Sequence, residues 1–220
     1  MTHYVHVPLP YDFSALEPAI DARTMEIHHD GHLGAYVRNL NALIEKYDLQ
    51  NLPPRAMDFV QAFHRLAADV PDRDRLRFNL GGVANHEFFF SILGKKSAAP
   101  GAPLASAIDE NFGTFVSFQN LFQKSAIDLM GSGWTWLAVD LASTIAQPFP
   151  RLFICNTSNH DNPLMRDVFA SPVMPILCLD MWEHAYYLRH QNRKTDYLAA
   201  FWCVVDWDRV DTNYASVLHS

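Results

Sequence analysis

The chain has 220 residues, of which 49% are hydrophobic and 13% aromatic, and a formal net charge of −7. That length can bury a sizeable core in one large or two small domains, and the composition excludes intrinsic disorder. The acidic balance excludes a general nucleic-acid binder, whose footprint is a basic face, and it repels an anionic substrate at long range, so any attraction must be local.

The N-terminal stretch holds Pro8, Pro10 and Pro18 and no apolar run of signal-peptide length. The first long pattern covers residues 24–44, with Asp21 as its N-cap. His28, His32, Tyr36 and Leu40 recur at helical spacing and Leu43, Ile44 and Tyr47 extend the stripe, so the inward face passes from polar to apolar. A lone His on such a face is more often a satisfied core residue. Two His and a Tyr stacked over two turns point instead to a site.

A second helix is predicted over about 54–69 and a third over about 72–93, with Gly94 as its stop. The third contains Gly81 and Gly82, each lowering helix propensity by about 1 kcal/mol against Ala. They need a packing reason such as the close approach of another helix, which His86 would then face. Residues 94–103 are rich in Gly, Pro, Ala and Ser and divide the chain into 1–98 and 99–220. Helical patterns follow over 104–112 and 115–130, the latter ended by Gly131. Then the period changes: residues 134–141, 151–156 and 174–179 are short β-branched or aromatic runs that read as strands. Helices return at about 196–205 and 207–218. The predicted fold is α+β: an N-terminal α-helical hairpin domain, then an α+β domain with a small three-stranded antiparallel sheet.

The third strand runs into Asp180-Met181-Trp182-Glu183-His184. A carboxylate and an imidazole four residues apart at the end of an apolar run can both reach one cation, or can simply bond each other. Burying either without a partner costs several kcal/mol. His28 and His86 upstream decide for the cation. Cys155, Cys178 and Cys203 form no close pair and read as small buried residues in a reducing compartment. No run approaches a membrane span, so the expected location is the cytoplasm.

Taken together, Pro8-Leu9-Pro10-Tyr11, Thr24-Met25-Glu26-Ile27-His28-His29, Asn85-His86, Gly131 to Trp136, Asp180 to Tyr187 and Phe201 to Trp207 resemble the iron/manganese superoxide dismutases from end to end. The resemblance implies that His28, His86, Asp180 and His184 hold one Fe or Mn ion per chain, with solvent as a fifth ligand, and that the ion alternates oxidation state to turn superoxide into dioxygen and hydrogen peroxide. It implies that Tyr36 and His32 gate the metal and relay protons, with Phe90, Trp134 and Trp182 as pocket wall. Glu183 should bridge to His184 of the partner subunit and Tyr187 to His32 of the partner subunit, in a homodimer or a tetramer. Lys194, where many members carry Arg, could draw in the substrate.

The chain departs from the family where a Gln usually bonds the metal's solvent. That position is Gly82 in one branch, and in the other it falls in the segment 157–163, where His160 stands, so an imidazole is the expected donor. Members with His here include iron-using and metal-tolerant forms. Leu33 replaces a His beside the gate and Phe90 a Trp. His190 looks exposed. Two other classes remain: a metal-free interaction protein, which should have lost ligands, and a two-His-one-carboxylate iron oxygenase, which usually needs a β-barrel.

Overall fold

The computed structural model describes residues 3–94, 99–143, 150–169 and 171–218. The expected division at 98/99 lies at the edge of 95–98, which are outside the described residues. Helix α1 (Ala22–Glu26) starts where Asp21 accepts from the Thr24 N–H at 2.9 Å and from its hydroxyl at 2.7 Å, the cap expected from sequence. The same helical rod then winds as a π-helix over Ile27–Leu33 before returning to α-helix as α2 (Gly34–Lys46). Repeats of four residues fit both windings over two turns, so the periodicity alone did not separate them. Such π-segments are rare and gather at functional sites.

Helices α3 (Ala56–Leu66) and α4 (Arg73–Ser91) complete the N-terminal half, where α2 packs on α4 and α3 on α4. The two glycines of α4 meet different neighbours. A Cβ on Gly82 would lie 2.6 Å from the Tyr36 ring of α2, which is the helix approach expected. A Cβ on Gly81 would lie 1.9 Å from the carbonyl oxygen of His160, so here it is a loop that comes close.

The second half opens with α5 (Ala102–Phe112) and α6 (Phe115–Asp128). It continues into strands β1 (Gly133–Asp140), β2 (Leu152–Ser158) and β3 (Val173–Asp180), which form an antiparallel sheet in the order β2-β1-β3. Pro175 is tolerated because β3 is an edge strand and the register shifts beside it, between Leu137 and Ala138. Seven of the eight residues of the central strand are buried, which accounts for its nearly continuous apolar run. Trp134 pairs with Thr157 on one side and Asp180 on the other, which brings the β2–β3 loop and the end of β3 beside each other. A four-residue turn of helix, α7 (Tyr187–His190), precedes α8 (Lys194–Trp202) and α9 (Trp207–Leu218).

The halves join through aromatic packing. Phe89 of α4 stacks on Phe201 of α8, which stacks in turn on Phe122 of α6. The chain after α4 is tied to the end of α8 by Gly94 N–H to the Val204 carbonyl, 2.7 Å, and Asp206 N–H to the Ile92 carbonyl, 2.9 Å. No described helix is long and apolar enough to cross a membrane.

Two expectations fail. Cys178 is buried and Cys155 partly so, but Cys203 is exposed, because it caps α8 on the outer side of its last turn. His190 is buried, not exposed: α7 turns it inward to pack on Tyr197, with Nε2 3.4 Å from the Ala19 carbonyl.

Candidate metal centre

Four side chains from four segments converge between the halves: His28 from the π-segment, His86 from α4, Asp180 at the end of β3, and His184 from the short 3-10 turn Glu183–Ala185. One ligand atom from each lies within 4.8 Å of the others. The Asp180 carboxylate oxygen Oδ2 is 3.1 Å from Nε2 of His28, 3.1 Å from Nε2 of His184 and 3.6 Å from Nε2 of His86. His28, His86 and Asp180 are fully buried and His184 nearly so.

The orientation of each donor is set by its neighbours. The His86 ring faces the Gly82 carbonyl through Nδ1 at 2.6 Å, so Nδ1 carries the proton and the Nε2 lone pair faces the cluster. Asp180 accepts the Trp182 N–H on Oδ1 at 2.8 Å and leaves Oδ2 inward. Its backbone carbonyl receives the buried Tyr197 hydroxyl at 2.9 Å. Burial holds the His28 imidazole down at about 4 despite the facing carboxylate, and holds His86 well below its ordinary range. Burial would raise the Asp180 carboxyl, but His184 and His28 outweigh it and hold it far below the usual carboxylate range. Neutral imidazoles around an ionised carboxylate are the protonation states that ligate a metal. The buried His86 Nε2 lone pair faces the same carboxylate oxygen, 3.6 Å away, that His28 and His184 approach, an arrangement a cation between them satisfies, so the residues fit a cation.

His160 lies next to this cluster. Its Nδ1 accepts from Trp134 Nε1–H at 3.2 Å, which places the remaining ring proton on Nε2, 2.8 Å from the Tyr36 hydroxyl. Burial holds the ring down at about 3, so it stays neutral at ordinary pH. The loop carrying it is pinned from several sides: Asn85 donates to the His160 and Asp161 carbonyls, Thr157 to the Asp161 carbonyl, and Arg77 to the Asp161 carboxylate at 2.7 Å. Burial and the charge of Asp180 both push the Tyr36 phenol up.

Aromatic rings surround the cluster. Phe90 lies 5.0 Å from the His28 ring, Trp134 lies 5.1 Å from His86, and Trp182 stacks on His160 at 4.4 Å and on His184 at 5.6 Å. The His32 ring stacks on His184 at 4.1 Å and is half-exposed. Phe78 was missed: its ring sits 4.8 Å from His160 and 5.9 Å from Tyr36. It precedes His86 by two helical turns and so shares its face, a signal that was readable. Tyr197, too far along the chain for any spacing argument, was not. Glu183 and Tyr187 point outward and are exposed, while Lys194 opens α8 half-buried with no ion-pair partner among the described residues.

Residues 3–94 match the family model described as iron/manganese superoxide dismutases, alpha-hairpin domain, and residues 100–213 match its C-terminal domain. A protein of Thermus aquaticus named manganese superoxide dismutase is 44% identical over 208 residues, 94% of this chain and 94% of that protein. One of the same name from Pseudomonas aeruginosa is 42% identical over 96% of this chain and 97% of its own, and another from Leptolyngbya boryana is 42% identical over 94% and 79%.

Proposed function

Since the chain belongs to the iron/manganese superoxide dismutases and is an oxidoreductase of that kind, we propose that it disproportionates superoxide at one Mn or Fe ion held by His28, His86, Asp180 and His184. The observation that carries this is the convergence of three imidazole nitrogens on one buried carboxylate oxygen. When bound, the ion supplies a one-electron couple that accepts an electron from one superoxide and returns it to a second, so that two superoxides and two protons give dioxygen and hydrogen peroxide. The names of the relatives favour manganese.

The chain's own residues then do three things. Phe90, Trp134 and Trp182 exclude bulk water and restrict entry to small species. Tyr36 holds a proton at its hydroxyl. Because the single His160 ring proton is directed at that hydroxyl, the phenol proton is free to point toward the metal, and His160 acts through Tyr36 rather than on the metal's solvent directly. His32, over His184, completes the gate. Lys194 supplies the local attraction that a net charge of −7 lacks.

We place the domain boundary at 98/99, the molecule in the cytoplasm, and the working form as a homodimer in which Glu183 and Tyr187, exposed beside the ligand turn, meet the partner subunit. A metal-free interaction protein should have lost ligands, and an iron oxygenase would leave the third imidazole without a role. Metal analysis with a superoxide-consumption assay on the purified protein tests the reading. About one Mn or Fe per chain with rapid consumption is expected, and metal-free inactive protein would overturn it.

A further inference from the structure

Helix α4 turns two adjacent stripes toward the interior, one residue out of step with each other. Phe78, Gly82 and His86 recur at helical spacing and meet Tyr36, the His160 ring and the metal centre. Arg77, Gly81 and Asn85 repeat the same spacing, and all three meet the β2–β3 loop that carries His160. The first stripe faces the ring of His160 and the second faces its backbone.

The second stripe needs attractive contacts, because its closest approach supplies none. A Cβ on Gly81 would lie 1.9 Å from the His160 carbonyl oxygen, yet an interior helical N–H is spent on the carbonyl four residues before it, so that oxygen gains no hydrogen bond from Gly81. Asn85 donates to the His160 and Asp161 carbonyls at 3.2 and 3.3 Å, at the long end of the range. Arg77, two turns earlier, makes the charged contacts: Nε donates to the Asp161 carboxylate at 2.7 Å and Nη1 to the Asp167 carboxylate. Its side chain is only 17% exposed, which sets it apart from the solvated surface pairs that contribute almost nothing. A guanidinium fork serves two carboxylates at once, where an ammonium is a single point charge. Without it, Asp161 and Asp167 are like charges converging on one vacated position.

We propose that Arg77 is a positioning residue for the dismutase chemistry. By drawing Asp161 onto α4 it holds the neighbouring His160 ring where Nε2–H supports the Tyr36 hydroxyl, 2.8 Å away. Trp182, stacked on His160 at 4.4 Å, fixes the plane of that ring but lets it slide, so its distance from Tyr36 is set by where the loop backbone sits on α4. Both hydrogen bonds of the Arg77 side chain go to the loop, so Arg77 acts through His160 and not on the ion. The inference rests on the dismutase reading above.

The test is a double-mutant cycle on metal-loaded protein, read by redox titration and turnover, with metal counted per chain. Arg77→Met should retain metal, move the potential in the same direction as His160→Ala and by no more, and lower turnover about tenfold. Arg77→Lys, which keeps the charge but not the fork, should lie between Arg77→Met and wild type. In a His160→Ala background Arg77→Met should change neither quantity further, which is the signature of an effect relayed through that ring. A wild-type potential in Arg77→Met, or a shift that adds in full to that of His160→Ala, would overturn the proposal. Should Arg77→Met fail to fold, Arg77→Lys and Asp161→Asn carry the same cycle. A wild type that holds no metal takes the dismutase reading and this inference down together, whereas one that holds metal and consumes superoxide while the Arg77 variants keep its potential sinks this inference alone.

Discussion

The Nε2 of His160 and the hydroxyl of Tyr36 lie 2.8 Å apart although 124 positions separate them in sequence. The contact exists because Gly82 has no side chain to hold the Tyr36 ring off α4, and because Gly81 admits the His160 carbonyl. Two small residues in one helix thus join a proton donor to the hydroxyl it supports.

His160→Ala should keep its metal, because the ligands lie on other segments, and lose most activity. The loss of one hydrogen bond, about 1.4 kcal/mol, corresponds to about 59 mV in a one-electron couple, so the potential should move by that order. His64→Ala, on an exposed position of α3, should change neither. His190 cannot serve as this control because it is buried. Redox titration and turnover of both variants check this, and an unchanged His160→Ala would remove the residue from the relay.

Gly81→Ala forces a Cβ to within 1.9 Å of a backbone oxygen, which no rotamer relieves. Either α4 or the His160 loop must shift, at a cost of about 1–3 kcal/mol. Urea unfolding of metal-loaded protein should show that loss, together with reduced turnover. Wild-type values for both would mean that the loop yields freely.

His86→Ala and Asp180→Ala should each abolish most metal retention, measured as ions per chain after dialysis. Asp180→Ala is expected to be the more severe, since it removes the only anion and leaves three imidazoles facing one another.

Glu183→Ala should weaken self-association and lower activity together, because the same turn carries His184 and the exposed carboxylate. Sedimentation and kinetics on one preparation check both, and a fully active native monomer would count against the bridge.

Asp21→Ala should lower stability by about 1 kcal/mol through loss of the helix cap. Burial opposes ionisation of Asp21, but the Thr24 hydroxyl and N–H outweigh it and lower its pKa. A carboxyl depressed in the folded state stabilises above its unfolded value and loses that contribution as pH falls through the folded one. The difference between wild type and variant should therefore be full near neutrality and shrink below about pH 4, as read from denaturation midpoints.

Much of this was legible in the sequence for physical reasons. Apolar spacing marked the long helices and the three strands to within a few residues, and the histidines of the candidate site stood out as polar groups on inward-facing stripes. What escaped depended on distant parts of the chain or on short elements. The π-winding at Ile27–Leu33 and the single turn Tyr187–His190 are too brief to leave a period, and the latter is what buries His190. The support of Asp180 by Tyr197, and the direction of the His160 proton, rest on which atoms face each other across the core. Spacing along the chain carries no record of that.

The four ligands are spread from His28 to His184, on segments that precede and follow the sheet. A ribosome delivers them in that order, so His28 and His86 emerge long before Asp180 and His184 exist. During synthesis the growing chain therefore has at most two of these four donors until Asp180 is added. On the proposed ligand set, selection of the ion would wait until His184 clears the exit tunnel, so the metal pool the chain meets then would help decide which ion it holds.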